Sequence, residues 1–87
     1  MANVLKNEGE LDEAEILLRK ALQIREEFPA AWMNLGIVLS NKKQFSEAEK
    51  CYFKALKYRK QYPDCYYNLG NLVSSILIKY ISTVFWF

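Results

Sequence analysis

The chain has 87 residues, with twelve Lys and Arg against ten Asp and Glu, two Cys, three Gly, two Pro and no His. A chain of this length forms one small domain at most and buries only about 60% of the surface that its unfolded form exposes, which excludes a large enzyme core. The lack of His removes the commonest general base and the commonest zinc ligand, so the composition argues against catalysis. Aromatic residues make up 15% of the chain, which argues for a packed or ligand-facing surface and against disorder.

The first ten residues, MANVLKNEGE, have no basic cluster followed by a long apolar run, so they do not predict a secretory signal peptide. From Leu11 to Ile24 apolar residues recur at steps of three and four, which predicts an amphipathic helix. The acidic residues at its start, from Glu8 to Glu15, are favourable there because negative charge complements the helix dipole.

Pro29 marks the start of a second predicted helix, since a missing N–H costs nothing in a first turn. Gly36 lies inside this helix, where it costs about 1 kcal/mol against Ala, so we expect it to let a neighbouring helix approach closely. Another amphipathic stripe runs from Phe45 to Tyr58 and predicts a third helix. Lys43 stands at the turn between them, where a positive φ would cost some strain.

Pro63 begins a fourth predicted helix, which carries Gly70 in the same role as Gly36. The two cysteines, Cys51 and Cys65, do not form a C-x-x-C pair, so they suggest neither a redox nor a metal site. They are predicted to be core residues, and a disulfide between them is disfavoured because they lie on different sides of the turn before Pro63.

The chain is internally repetitive at an offset of 34 residues. When residues 3–40 are laid against residues 37–74, fifteen of thirty-eight pairs are identical, among them Pro29 with Pro63 and Asn34 with Asn68. A repeat of two helices at this period is typical of helical solenoids.

The spacing W-x-x-L-G at Trp32, together with Ala48, Tyr52 and Ala55 at the 34-residue period, resembles the tetratricopeptide repeat (TPR). The resemblance implies an all-α fold, an α-solenoid of antiparallel helix pairs with about two and a half units. These are a partial unit at 1–28, a complete unit at 29–62 and the start of a third at 63–72, followed by a divergent hydrophobic tail at 73–87. The resemblance also implies that Gly9 lies at the turn between the two helices of the partial unit. The structural repeat positions are Trp32, Leu35, Gly36, Ala48, Tyr52, Ala55, Pro63, Tyr66, Leu69 and Gly70.

The runs PAAWMNLGIV at 29–38 and YPDCYYNLGNL at 62–72 resemble the repeat region of the transmembrane and TPR-repeat-containing (TMTC) family. Full-length members of that family look like endoplasmic-reticulum protein O-mannosyltransferases that use dolichyl-phosphate-mannose. Their acidic catalytic motif lies in a membrane part that nothing in this chain matches. The resemblance therefore implies a fragment with no catalytic, cofactor or metal residues of its own, and an endoplasmic-reticulum location for the parent only.

In TPR solenoids the leading helices line a concave groove that holds an extended protein segment. The resemblance places seven candidates for this groove: Met33, Asn34, Ile37, Asn41, Tyr67, Asn68 and Asn71. Asn3, Lys6 and Asn7 would extend the row. Asn34 and Asn68 resemble an asparagine ladder that holds peptide backbone, although both could instead bond a neighbouring helix or water. A clamp that grips a carboxylate needs Lys or Arg in this groove, and it is rejected because Met33, Ile37 and Tyr67 do not supply one.

Residues 35–63 carry seven basic and two acidic side chains, with Lys50, Lys54 and Lys57 on one helix face. Interleaved aromatic residues make a nucleic-acid or anionic-membrane surface conceivable. Because the opposite side of the same helix is the predicted core stripe, a solvated face is favoured. No nucleic-acid partner is predicted.

The tail from Val73 to Phe87 departs from the repeat pattern. Ile76, Ile78 and Ile81 favour a strand over a helix. Three interpretations remain open: a short membrane anchor, a helix that caps the last repeat, and translated intron or a truncated gene model. Loss of the pattern in mid-unit favours the last, which transcript sequencing across Val73 would test.

Overall fold

A computed structural model describes residues 8–85, which form four α-helices. These are α1 (Glu8–Ile24), α2 (Pro29–Asn41), α3 (Phe45–Tyr58) and α4 (Pro63–Phe85). α2 packs most extensively against α3 and next against α1, while α4 packs against α3 and touches α2. The predicted all-α class with helices packed in adjacent pairs is confirmed. The four helices form an elongated body of 47 × 31 × 22 Å.

Helices α2 and α4 begin at Pro29 and Pro63, where the sequence predicts their first residues. Before each proline an aromatic residue supplies the capping carbonyl. The carbonyl of Phe28 accepts from the backbone N–H groups three and four residues ahead, and the carbonyl of Tyr62 does the same. The two units therefore open with the same backbone hydrogen bonds, 34 residues apart.

The core lies where α2, α3 and α4 meet. Its most deeply buried side chains are Leu35, Leu39, Ala48, Tyr52, Ala55, Cys65 and Leu72. Gly36 allows α2 and α3 to approach closely, because a Cβ there would lie 2.6 Å from Cε1 of Tyr52. The close approach expected at Gly36 is thus confirmed, and burial of Cys51 and Cys65 confirms their predicted place in the core.

The turn between α2 and α3 is a Schellman motif. The N–H of Lys43 donates to the carbonyl of Ser40 over 3.0 Å, and the N–H of Gln44 donates to the carbonyl of Leu39 over 2.8 Å. Lys43 has a φ of 67°, in the left-handed region that glycine tolerates best. The strained lysine expected at this turn is therefore present.

Two of the roles predicted for glycine are wrong. Gly9 does not form a turn, because it lies in the first turn of α1, where Glu10 and Asp12 stabilise an early helix start. Gly70 faces open space, with nothing within 4 Å of an added Cβ. The reason is that α4 runs straight on past the position at which a complete repeat unit would turn back.

The strand preference predicted for the tail is also wrong over the described residues, since α4 continues to Phe85. Strand propensities span only about 1 kcal/mol, whereas extending an existing helix avoids the cost of nucleating a new element. Buried Leu72 and partly buried Ile76 anchor the extension to the core.

The proposed origin of the tail in an intron stays a prediction. A membrane anchor was another alternative for the tail; within residues 8–85, no helix combines the length and the apolarity that crossing a membrane requires.

Candidate functional site

A cleft of about 190 Å³ lies between α2 and α4, which begin at Pro29 and Pro63, 34 residues apart. Its walls carry neutral polar and apolar side chains from both helices, and Tyr52 of α3 contributes to the lining. The lining residues are Ile37, Ser40, Asn41, Tyr52, Asn68, Asn71, Leu72 and Ser75. All of them are uncharged.

Four of the seven predicted groove residues meet in this cleft: Ile37, Asn41, Asn68 and Asn71. The other three lie elsewhere. Asn34 is exposed, Tyr67 is 71% exposed, and Met33 packs against the core. Asn3, Lys6 and Asn7 lie outside the described residues. Of the two asparagines that resemble a peptide-binding ladder, Asn34 and Asn68, only Asn68 lines the cleft.

Sequence reasoning missed Ser40, Tyr52, Leu72 and Ser75 as lining residues. Two of them could have been found from helical spacing. Ser40 follows Ile37 by three residues and Ser75 follows Asn71 by four, so each shares a helix face with a predicted groove residue. Tyr52 reaches the cleft from a following helix, which the resemblance assigns to packing alone.

The amide nitrogen of the Asn68 side chain already has a hydrogen-bond partner within the protein. Its Nδ2 donates to the backbone carbonyl of Asp64 over 2.8 Å, one turn earlier in α4. This bond fixes the side-chain orientation and leaves the acceptor oxygen Oδ1 for a further partner. Asn41 and Asn71 are exposed and can both donate and accept. The cleft thus offers hydrogen-bonding groups suited to a peptide backbone.

A second, more open cleft of about 380 Å³ adjoins the first, and the two share Ser75. It is lined by Lys43, Phe45, Ser75, Ile78 and Lys79. The ammonium groups of Lys43 and Lys79 give this end a positive charge. The groove is consequently neutral between α2 and α4 and basic where it passes the strained turn.

Two of the three basic side chains of α3, Lys54 and Lys57, contact other side chains of the protein. Nζ of Lys54 lies 3.4 Å from a carboxylate oxygen of Glu26 and 5.5 Å from the ring centroid of Trp32. Lys57 lies over the ring of Tyr58 at 5.4 Å. These pairings account for part of the basic excess and support its interpretation as a solvated face.

An ion-pair network fastens α1 to the body of the protein. Nζ of Lys42, at the end of α2, lies 2.5 Å from Asp12 and 2.7 Å from Glu15 of α1. Arg19 lies 2.8 Å from Glu15 and 3.3 Å from Glu47 of α3. Hydrogen bonds from Lys42 and then Arg19 hold the pKa of Glu15 below its usual value. The network therefore positions the partial first unit beside the groove-forming helices.

The buried hydroxyl and thiol groups of the core stay neutral at physiological pH. Burial raises the pKa of the Tyr52 hydroxyl to about 12 and that of the Cys51 thiol to about 11, and it also raises the pKa of Cys65. A thiol held protonated is a poor nucleophile. Over the part of the chain that the structure describes, no cluster of His, Cys, Asp and Glu could hold a metal ion.

Comparison with known families agrees with this geometry. One tetratricopeptide repeat model matches residues 29–62, which contain α2 and α3, and a second tetratricopeptide repeat model matches residues 1–27. No curated protein matches the chain. Because the two tetratricopeptide repeat matches together cover more than half of the sequence, the chain belongs to the tetratricopeptide repeat family.

Proposed function

We propose that the chain binds an extended segment of a partner protein in the cleft between α2 and α4. TPR repeats generally serve as protein–protein interaction modules. The observation that carries the proposal is the meeting of Asn41 from one leading helix with Asn68 and Asn71 from the next along a single uncharged cleft.

The chemistry of the cleft suits main-chain recognition. Each peptide unit presents one N–H and one carbonyl, and an asparagine side chain can pair with both. Asn41 and Asn71 would supply such pairing, while Oδ1 of Asn68 would accept an N–H from the partner. Ile37 and Leu72 would contact small apolar side chains between these polar groups. Recognition of this kind is tolerant of the partner's sequence.

The adjoining basic cleft indicates which side chains the bound segment should carry at that end. A segment that leaves the neutral cleft past Ser75 would meet Lys43 and Lys79. An acidic side chain on that part of the segment would be attracted to the two ammonium groups, and salt would screen the attraction. The expected ligand is therefore an extended peptide with a small, neutral stretch and an acidic residue at one end of that stretch.

A random 12-residue peptide display library is the probe that tests this proposal. Selected peptides should bind the full chain, and the double variant Asn41→Ala/Asn71→Ala should raise their Kd about tenfold, since two hydrogen bonds of about 0.7 kcal/mol each are lost. Asn34→Ala is the matched control, because Asn34 is exposed on α2 but does not line the cleft. Equal affinity for the wild type and the double variant, with unchanged helicity, would contradict the proposal.

A second candidate rests on the TMTC-like runs at 29–38 and 62–72. On that view the chain belongs to the substrate-facing luminal repeats of an endoplasmic-reticulum dolichyl-phosphate-mannose protein O-mannosyltransferase, and catalysis lies in a membrane part beyond this sequence. The cleft would then hold an acceptor segment rich in Ser and Thr. Selective capture of cadherin-type acceptor peptides, lost in the Asn41→Ala/Asn71→Ala variant, would favour this candidate over a general binding module.

A further inference from the structure

Helix α4 carries an uncharged stripe on the side turned away from the peptide cleft. Its members recur at steps of three and four residues and lie about half a turn around the helix from Asn71 and Ser75. Several are large apolar side chains with substantial exposure, among them Leu77 at 52% and Ile81 at 46%. The stripe consists of Tyr66, Gly70, Val73, Ser74, Leu77, Tyr80 and Ile81.

The repeat itself indicates what such a face accommodates. In the complete unit, Gly36 forms a notch that the ring of Tyr52 occupies, with the site of a Cβ only 2.6 Å from Cε1. Gly70 is the equivalent residue 34 positions later, and nothing lies within 4 Å of its Cβ site. The face around Gly70 thus has the same notch, open to a bulky side chain from a helix outside the described fold.

We propose that a second copy of this chain covers the stripe, with the two α4 helices antiparallel about a two-fold axis beside Val73 and Ser74. In this register Gly70 of one copy faces Leu77 of the other, so a large side chain enters each notch. Tyr66 then faces Ile81 of the second copy. An interface of this kind is self-complementary, as two-fold symmetry requires. The proposal uses a surface separate from the peptide cleft and leaves that cleft open.

Charge and size favour this arrangement over a head-to-tail stack. The exposed Ile16 of α1, which a head-to-tail stack would have to cover, lies on its helix face between Glu13 and Lys20, whereas the α4 stripe has no charge to desolvate. The exposed stripe side chains together offer on the order of 500 Å² per copy. Two copies would bury about 1,000 Å², the lower limit of a specific interface, so we expect a weak dimer.

Sedimentation equilibrium of the full chain between about 1 μM and 1 mM, the range that a weak interface requires, tests the proposal. The wild type should fit a reversible monomer–dimer equilibrium, and Leu77→Glu should weaken it at least tenfold. Ile16→Glu is the matched control, since it places the same charge at an exposed apolar position of α1 and should leave the dimer unchanged. Helicity measured for each variant shows whether it is folded.

A cross-linking experiment fixes the register. Val73→Cys places two thiols beside the proposed axis, within reach of a disulfide, whereas Ser75→Cys places an exposed thiol on the opposite side of α4, in the cleft. Mild oxidation should convert Val73→Cys, but neither Ser75→Cys nor the wild type with its buried cysteines, into a covalent dimer. A monomer at every concentration, mass that grows without limit, or equal cross-linking of the two variants would overturn the proposal.

Discussion

The indole Nε1 of Trp32 donates a hydrogen bond to the backbone carbonyl of Glu26 over 2.7 Å. The same relationship recurs one repeat later, where the hydroxyl of Tyr66 donates to the carbonyl of Lys60 over 3.2 Å. In both units an aromatic side chain near the start of a leading helix reaches back six residues to the preceding turn. The 34-residue period is therefore expressed in specific hydrogen bonds as well as in the helices.

Replacing Trp32 by Phe should lower the stability of the fold. The change removes the donor to Glu26 and some packing volume, and the lost hydrogen bond alone is worth about 0.5–1.5 kcal/mol. For a domain of this size each kcal/mol corresponds to about 4–8 °C in Tm. Urea and thermal unfolding followed by circular dichroism measure the change.

Tyr66→Phe is the control for the Trp32 variant. Its hydrogen bond is longer and Tyr66 is 54% exposed, so the loss should be smaller. A Tyr66 variant that destabilises the protein as much as the Trp32 variant would contradict this interpretation.

The two repeat glycines should respond to alanine with opposite signs. Gly36→Ala puts a methyl group 2.6 Å from the Tyr52 ring, and overpacking of this kind costs about 1–3 kcal/mol. Gly70→Ala meets open space and gains helix propensity, about 0.8–1.0 kcal/mol. Free energies of unfolding from urea titrations at low micromolar concentration separate the two effects. Destabilisation by both variants would show that Gly70 is covered even in the monomer.

These glycines also show how far sequence reasoning reaches. The repeat period correctly predicts that Gly36 faces a bulky neighbour, because α3 follows and returns over it. The same rule fails at Gly70, since the close contact depends on a following helix that the described residues do not contain. Strand propensity fails in the tail for a related reason: Leu72 and Ile76 pack as a continuation of α4, and this packing overrides weak local preference.

For the candidate site, the period identified the helices more reliably than the residues. Asn41, Asn68 and Asn71 line the cleft, but Asn34 does not, although its repeat partner Asn68 does. The cleft forms where two successive units converge, so each helix contributes a different part of its face. A residue-by-residue transfer from one unit to the next cannot capture that difference. Tyr52 was missed for the same reason, since it reaches the cleft from α3.

Lys43→Gly should stabilise the protein. Lys43 holds a φ of 67°, a conformation that costs an ordinary residue on the order of 1 kcal/mol and glycine much less. Lys42→Gly is the neighbouring control and should destabilise, because Lys42 has a φ of −86° and pairs with Asp12 and Glu15. Chemical unfolding of both variants shows whether each substitution raises or lowers the free energy of unfolding. A destabilised Lys43→Gly protein would indicate that the lysine side chain contributes more than its backbone costs.

Stability should fall on acidification through the ion pairs of Glu15. Hydrogen bonds from Lys42, then Arg19, lower the pKa of Glu15 in the folded protein below the reference value of 4.5. A lowered folded pKa contributes stability that is present above pH 4.5 and is lost as the pH falls through the folded value. Unfolding midpoints measured from pH 6 to pH 2.5 should therefore drop more steeply for the wild type than for Glu15→Gln. Parallel pH profiles for the two proteins would contradict this assignment.

The two cysteines should report on opening of the core. Both thiols are buried, and burial raises the pKa of Cys51 from 9.0 to about 11, so its thiolate population at pH 8 is about 100-fold lower than that of a free thiol. Cys65 is held further by a contact from its Sγ to the carbonyl of Tyr52 at 3.4 Å. Iodoacetamide should therefore label neither cysteine in the folded protein within minutes and both after addition of urea. The destabilised Gly36→Ala variant should be labelled faster than the wild type, whereas rapid labelling of the wild type itself would contradict a closed core around Tyr52.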